Sequence, residues 1–383
     1  MSQNHPKAVL RVPELDGVRG LAIALVLFYH YFIGQIQVGA GTLEAKLLAF
    51  FRLTWGGVDL FFVLSGYLIG GILISQRGST RYFRAFYARR LTRIFPLYYM
   101  VLIGFVIARN LMGSPNTAGN QWLFADAFPI WAYALHLQNF SSAMDGVHGA
   151  NWLGVTWSLA VEEQFYLILP LLLRFIPPRV VLPVVLALAL SAPVLRTWIF
   201  YHHPHGGLAG YVLLPCRWDS LFVGVLGAVL ARKDKCVAWL SAPSSSKELL
   251  ARFAIFFSGV VVLTIKAQSI GSLGMATIGH TWLALLGLLT ILVAQFGPWN
   301  GFRMFFRARC LVWLGGISYG LYLFHQIISG FCHLVLRGDA PKIASWSDAA
   351  VTLLALVLSL LIAGLSWRCF EKPLVSLGRR ICY

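Results

Sequence analysis

About ten stretches of roughly 20 mainly apolar residues follow one another along this chain, near 16–36, 52–74, 94–112, 157–175, 180–201, 211–231, 251–270, 277–297, 311–335 and 348–370. Each is long enough to cross the hydrocarbon core of a bilayer as a helix. Pro, Gly and clustered charges punctuate most of the gaps, as between Arg174 and Arg179 around Pro177 and Pro178. The expected fold is therefore all-α, a polytopic membrane protein of about ten transmembrane helices. Composition agrees: 58% of the residues are hydrophobic and 12% charged, where a soluble domain carries about a quarter charged residues. That leaves too little polar surface to cover a soluble protein of 383 residues. No internal repeat or low-complexity tract is evident, and residues 1–383 read as a single membrane domain with no fused extracytoplasmic domain.

The net charge of +17, from 31 bases against 14 acids, would suggest nucleic acid as a partner in a soluble protein. Here the excess comes from scarce acids, and the bases sit in short runs between apolar segments, so no nucleic-acid partner is expected. With the N-terminus inside, the inner connections and the two termini hold about 22 of the 31 bases. The positive-inside rule then places both termini in the cytoplasm, with the chain integral to the cell (inner) membrane. The leader Met1 to Arg11 is polar. The first apolar run carries Asp16, Arg19 and His30, which the apolar core of a cleaved signal would not tolerate, so it reads as a retained span. In the longest outer connection, Gly113 to Thr156, the apolar stretch Trp122 to Leu137 is broken by Pro129. It is expected to lie at the interface or re-enter, not to span.

Six scattered cysteines form no CxxC and no Cys/His cluster at zinc spacing, so neither a disulfide framework nor a metal site is expected. His202, His203 and His205 have no acid or Cys beside them and read as a solvated loop. His136 and His148 could contact an acceptor in the outer connection. There is no GxSxG, HExxH or P-loop.

Ionisable groups inside spans are costly and are functional candidates by default. Arg19 and His30 are eleven residues apart in the first span. On a helix that spacing returns to the same face within about 20° after a rise of about 16 Å. Arg19 could hold a phosphate and His30 could take a proton from an attacking hydroxyl. The plainer alternatives are an arginine that snorkels to the interface and a packed core histidine. By depth, Asp59, Glu162, Glu163, Arg217, Asp219 and His325 are expected within one or two turns of His30. Asp59 or Glu162 could fix the His30 tautomer, as a carboxylate does in a triad. Arg217 with Asp219 or Glu163 could equally be a structural ion pair. In the run Arg77 to Arg93, topology explains most of the six arginines. Arg90 and Arg93, one turn apart, can face a polyphosphate together.

The chain resembles the acyltransferase-3 family of integral membrane O-acyltransferases. The motifs that carry the resemblance are ELDGVRGLAIALVLFYH (Glu14 to His30), GGVDLFFVLSGYLI (Gly56 to Ile69), YARRLTRIFPLYY (Tyr87 to Tyr99), TWSLAVEEQFYLILP (Thr156 to Pro170), RWDSLFVG (Arg217 to Gly224), ISYGLYLFH (Ile317 to His325) and EKP (Glu371 to Pro373). The resemblance implies ten spans with cytoplasmic termini. It also implies transfer of an acyl group, usually acetyl, from cytoplasmic acyl-CoA to a hydroxyl of a cell-surface glycan, a lipid-linked sugar or a small molecule. Acetyl-CoA would be a co-substrate, with no permanently bound cofactor. Carried over by position, the family's Arg/Lys-x10-His falls on Arg19 and His30, its Arg-x-x-Arg on Arg90 and Arg93, and the acidic position of its WSLxxE pattern on Glu162. With Asp59 added from its depth, His30, Glu162 and Asp59 are the expected catalytic set, and Arg19, Arg90 and Arg93 the expected coenzyme A contacts. Arg217, Asp219 and His325 would be in support. The alternative is a multi-span transporter or flippase of a glycan or lipid-linked precursor without acyl transfer.

Overall fold

The structure, a computed structural model, describes residues 12–39, 42–112, 117–266 and 269–383, so the polar leader lies outside the described residues. Among the described residues, ten long helices follow the ten apolar stretches. The first five are α1 Pro13–Phe28, α2 Gly57–Ser75, α3 Tyr82–Met112, α4 Trp157–Phe175 and α5 Pro178–His202. The others are α6 Leu214–Leu230, α7 Ser246–Lys266, α8 His280–Phe296, α9 Arg309–Arg337 and α10 Trp346–Ser366. Among the described residues the only β contact is an isolated parallel bridge between Ile36 and Ile343.

Eight helical stretches among the described residues are long and apolar enough to cross a membrane. The two further expected spans, α4 and α7, are helices of 19 and 21 residues. They carry charges within the helix, Glu162 and Glu163 in α4 and Glu248 and Arg252 in α7. The stretch Trp122 to Leu137 forms no spanning helix. It is divided between the short helices Ala118–Phe124 and Ile130–Ala134, on either side of Pro129. Leu123, Phe124, Phe128, Ala132 and Tyr133 from this region are buried.

The helices turn apolar side chains outward as well as inward. On α3, Ile103, Ile107 and Leu111 recur every four residues and are 59%, 53% and 81% exposed, a stripe suited to contact with hydrocarbon and unsuited to water. Apolar burial does not hold helices together in such surroundings, since lipid is as apolar as leucine; close packing of small residues does. Two crossings use it. At the α1–α9 crossing, a Cβ on Gly20 would stand 2.0 Å from the Leu311 carbonyl oxygen, and one on Gly315 1.9 Å from that of Asp16. At the α2–α6 crossing, a Cβ on Gly66 would stand 1.9 Å from the Leu221 oxygen, and one on Gly224 2.1 Å from that of Val63. These are the two most extensive helix–helix contacts among the described residues. Helix α8 packs on α2 and α6, α5 covers α6, and α10 covers α9.

The crossings predict a sharp contrast between neighbouring glycines. Gly315→Ala forces the α1 and α9 backbones apart, and overpacking of this kind costs about 1–3 kcal/mol or more. Gly316 has nothing within 4 Å of a new Cβ, so Gly316→Ala should be neutral or slightly stabilising. Thermal unfolding of the two purified variants in one detergent checks this.

Candidate active site

Helix α3 begins at Tyr82, ahead of its apolar run, so Arg90 and Arg93 are already helical. Their three-residue spacing brings both guanidinium groups to one cavity of about 210 Å³. Arg19 from α1 reaches the same cavity, as do Ser65 from α2, Ser158, Glu162 and Tyr166 from α4, and Tyr322 from α9. Arg90 lies over the Tyr166 ring, 5.8 Å from its centroid, and the Tyr166 and Ser65 hydroxyls are 2.6 Å apart. Arg19 also contacts its own helix, with Nη1 donating to Asp16 at 2.9 Å. Three arginines lining the cavity with Glu162 make it a place for an anion.

At the other end of α1 the helix widens into a π-helical turn, Tyr29–Ile33, which carries His30. Such single π turns are frequent at functional sites. His30 Nδ1 lies 3.0 Å from Nε2 of His325 on α9. His325 is fully buried, and its Nδ1 lies 2.7 Å from the Tyr322 carbonyl oxygen. The Tyr322 phenol hydroxyl donates to the Val155 carbonyl at 3.1 Å and is 2.7 Å from the Ser158 hydroxyl. Tyr322 thus forms part of the arginine cavity wall and also touches the histidine pair.

The carboxylates expected beside His30 stand elsewhere. Glu162 is at the arginine cavity, and the group against His30 is His325. Asp59 is held by the α6 arginine, with Arg217 Nη2 donating to Asp59 Oδ1 at 2.5 Å and the Ser220 hydroxyl donating to it at 3.2 Å. His280 Nδ1 is 3.6 Å from the same oxygen. Arg217 therefore pairs with neither Asp219 nor Glu163. Asp219 is held instead by Arg196 of α5, at 2.8 Å, and by the Thr281 hydroxyl, at 2.5 Å. All four members of these two pairs are fully buried. A buried charge without a partner is far more costly than a mismatched pair, so each arginine is drawn to the carboxylate that helix packing brings nearest.

Arg196 and His280 had not been singled out from the sequence. Arg196 was detectable there, being a lone charge in the apolar run of α5. His280 was detectable in the same way, lying in the first turn of the eighth apolar stretch. Of the outer histidines, His136 is buried between Tyr98 and Phe95, whose ring centroids lie 4.3 and 5.4 Å away. Burial pushes its pKa down to about 4, so it stays neutral near pH 7. His148 meets the Tyr211 ring edge-on at 6.3 Å. His202 stacks on Trp198, its Nδ1 donating to that residue's carbonyl, while His203 Nδ1 accepts from the His205 amide.

The Asp59–Arg217 pair predicts strong non-additivity in stability. Arg217→Met alone leaves a buried carboxylate unpaired and should cost about 3–5 kcal/mol. Adding Asp59→Leu should recover most of that loss, because an apolar pair of similar volume is tolerated. Unfolding midpoints of the single and double variants test this.

A family model described as an acyltransferase domain (acyltransferase-3) matches residues 12–368. Peptidoglycan O-acetyltransferase OatA of Listeria monocytogenes is 28% identical, over 96% of this chain and 56% of its own length. O-acetyltransferase OatA of Staphylococcus aureus is also 28% identical, over 96% of this chain and 58% of its own. The chain thus spans little more than half the length of these relatives. No solved structure matches it. Because the family match takes in every helix from α1 to α10 and all the residues around the arginine cavity and the histidine pair, the chain belongs to the acyltransferase-3 family.

Proposed function

We propose that the protein moves an acetyl group from acetyl-CoA, entering from the cytoplasmic side, to a hydroxyl of a cell-envelope glycan. The observation that carries this is the convergence of Arg19, Arg90 and Arg93 on one cavity, whose Tyr322 wall adjoins the His30–His325 pair. The relatives named as O-acetyltransferases, one of them acting on peptidoglycan, support a glycan acceptor. The bias of bases toward the inner connections supports a cytoplasmic entry for the donor.

Coenzyme A is polyanionic at one end and carries its thioester at the other. A cavity of about 210 Å³ is smaller than the ~300–1,000 Å³ sites that enclose a drug-sized ligand. It suits the slender arm next to the thioester, with the arginines holding phosphate oxygens at its mouth by charge-assisted hydrogen bonds. Glu162, set among these arginines, orients them and limits their mutual repulsion. His30 accepts the proton of the acceptor hydroxyl as oxygen attacks the thioester carbonyl. Asp59 fastens α2 to α6 through Arg217, and its part in catalysis is positional.

Purified protein in lipid nanodiscs, given acetyl-CoA and a glycan fragment, should yield product one acetyl group heavier and labile to mild base. His30→Ala should lower turnover by about 100-fold or more, the range for loss of a general base, while still binding acetyl-CoA. Charged hydrogen bonds are worth about 1.5–3 kcal/mol each, so replacing both Arg90 and Arg93 with Ala should weaken acetyl-CoA binding by about 100-fold or more. Turnover at the normal rate in His30→Ala, or undiminished binding in the double variant, would sink the assignment. Movement of a glycan across the bilayer with no acetylated product would favour a transporter.

A further inference from the structure

The two imidazoles share one hydrogen bond, and its direction is decided on the far side of His325. There Nδ1 lies 2.7 Å from the Tyr322 carbonyl oxygen and 3.2 Å from that of Leu321. Carbonyl oxygens only accept, so His325 Nδ1 carries a proton. His325 is fully buried, and among the described residues no carboxylate forms an ion pair with either ring to favour an imidazolium. A neutral imidazole has a single N–H. His325 Nε2 therefore holds a lone pair, and the proton in the 3.0 Å contact belongs to His30 Nδ1. The lone pair of His30 is left on Nε2.

We infer that His325 is a positioning residue that holds His30 as the Nδ1–H tautomer, so that His30 Nε2 both receives the acceptor's proton and returns it to the departing sulfur. This rests on the acyl-transfer reading above. The relay from His30 Nδ1–H to His325 Nε2, and from His325 Nδ1–H to the Tyr322 carbonyl, ends on an oxygen that is not a base. His325 can therefore steady the imidazolium formed on His30 but cannot carry a proton away. The step balances on one nitrogen. The acceptor O–H bond breaks and its proton goes to His30 Nε2, while the oxygen bonds to the thioester carbonyl carbon. The C–S bond then breaks, and the thiolate of coenzyme A takes that proton to leave as the thiol. His30 ends as it began, and no proton is exchanged with solvent.

Two variants of His325 separate positioning from packing. Gln can place an acceptor oxygen near the position of Nε2, and Leu cannot. His325→Leu should lower kcat by about 100-fold or more, the scale of a general base held in the wrong tautomer, with KM for acetyl-CoA within about twofold of wild type. His325→Gln should stay within about tenfold of wild type, and His325→Leu should add nothing in a His30→Ala background. Equal losses in the Leu and Gln variants, or a loss confined to KM, would overturn the assignment. Should the Leu variant not reach the membrane, ¹⁵N-histidine NMR of the unaltered protein in nanodiscs decides the matter. With His30 assigned by its absence in His30→Ala, a protonated Nδ1 and a bare Nε2 bear the inference out, and the reverse tautomer refutes it. Failure of the acyl-transfer reading would show separately, as no acetylated product from the unaltered protein.

Discussion

The backbone contact between α1 and α9 is the constraint on which the site depends. Gly20 and Gly315 let the two helices meet with no side chain between them, and in hydrocarbon such contact supplies the attraction that water supplies in soluble proteins. One end of α1 brings Arg19 to the cavity lined by Arg90 and Arg93. The other end brings His30 within a hydrogen bond of His325. Ion pairs from Glu14 to Arg307, at 2.7 Å, and to Arg303, at 3.6 Å, hold the start of α1 against the segment leading into α9. A small separation of the two helices would undo both halves of the site together.

Buried charge is handled in two contrasting ways. In the α2–α5–α6–α8 region each arginine has its own carboxylate, Arg217 with Asp59 and Arg196 with Asp219, and the pairs are sealed from solvent. They fasten helices and leave no net charge. Around the cavity at α1, α3 and α4, three arginines meet a single lining carboxylate, Glu162. Arg19 has Asp16 as a partner, while among the described residues Arg90 and Arg93 form no ion pair within 4 Å, and buried cations so placed favour a ligand of the opposite sign. The first arrangement suits structure, and the second suits binding.

Much of this was legible in one dimension. Helix number and approximate position follow from runs of apolar residues, because a bilayer imposes the same length on every span. The shared direction of Arg90 and Arg93 follows from helical spacing, because both lie on one helix. The small residues Gly315, Gly316, Ser318 and Gly320 in the ninth stretch are of the kind that permits a close helix crossing. The partners of Asp59 and of His30 were not legible, since both depend on which helices adjoin and how each is rotated about its axis. Depth along the membrane normal placed Asp59, Arg217, Asp219 and His30 near one another, yet side chains at equal depth face different neighbours according to the rotation of each helix. The π turn at Tyr29–Ile33 is likewise silent in the sequence, and it alters which way His30 points.

The sequence by itself determined an all-helical membrane protein, the membership of its family and the list of charges that topology does not explain. These properties depend on composition, order and spacing along one chain, which hydrocarbon thickness and helix geometry convert directly into structure. Only the tertiary structure decided that Asp59 belongs to Arg217, that Asp219 belongs to Arg196, and that the group against His30 is an imidazole and not a carboxylate. Each of those pairings joins residues from different helices. Its identity is set by backbone approach and helix rotation to a few ångströms, which depend on all the contacts of the bundle at once.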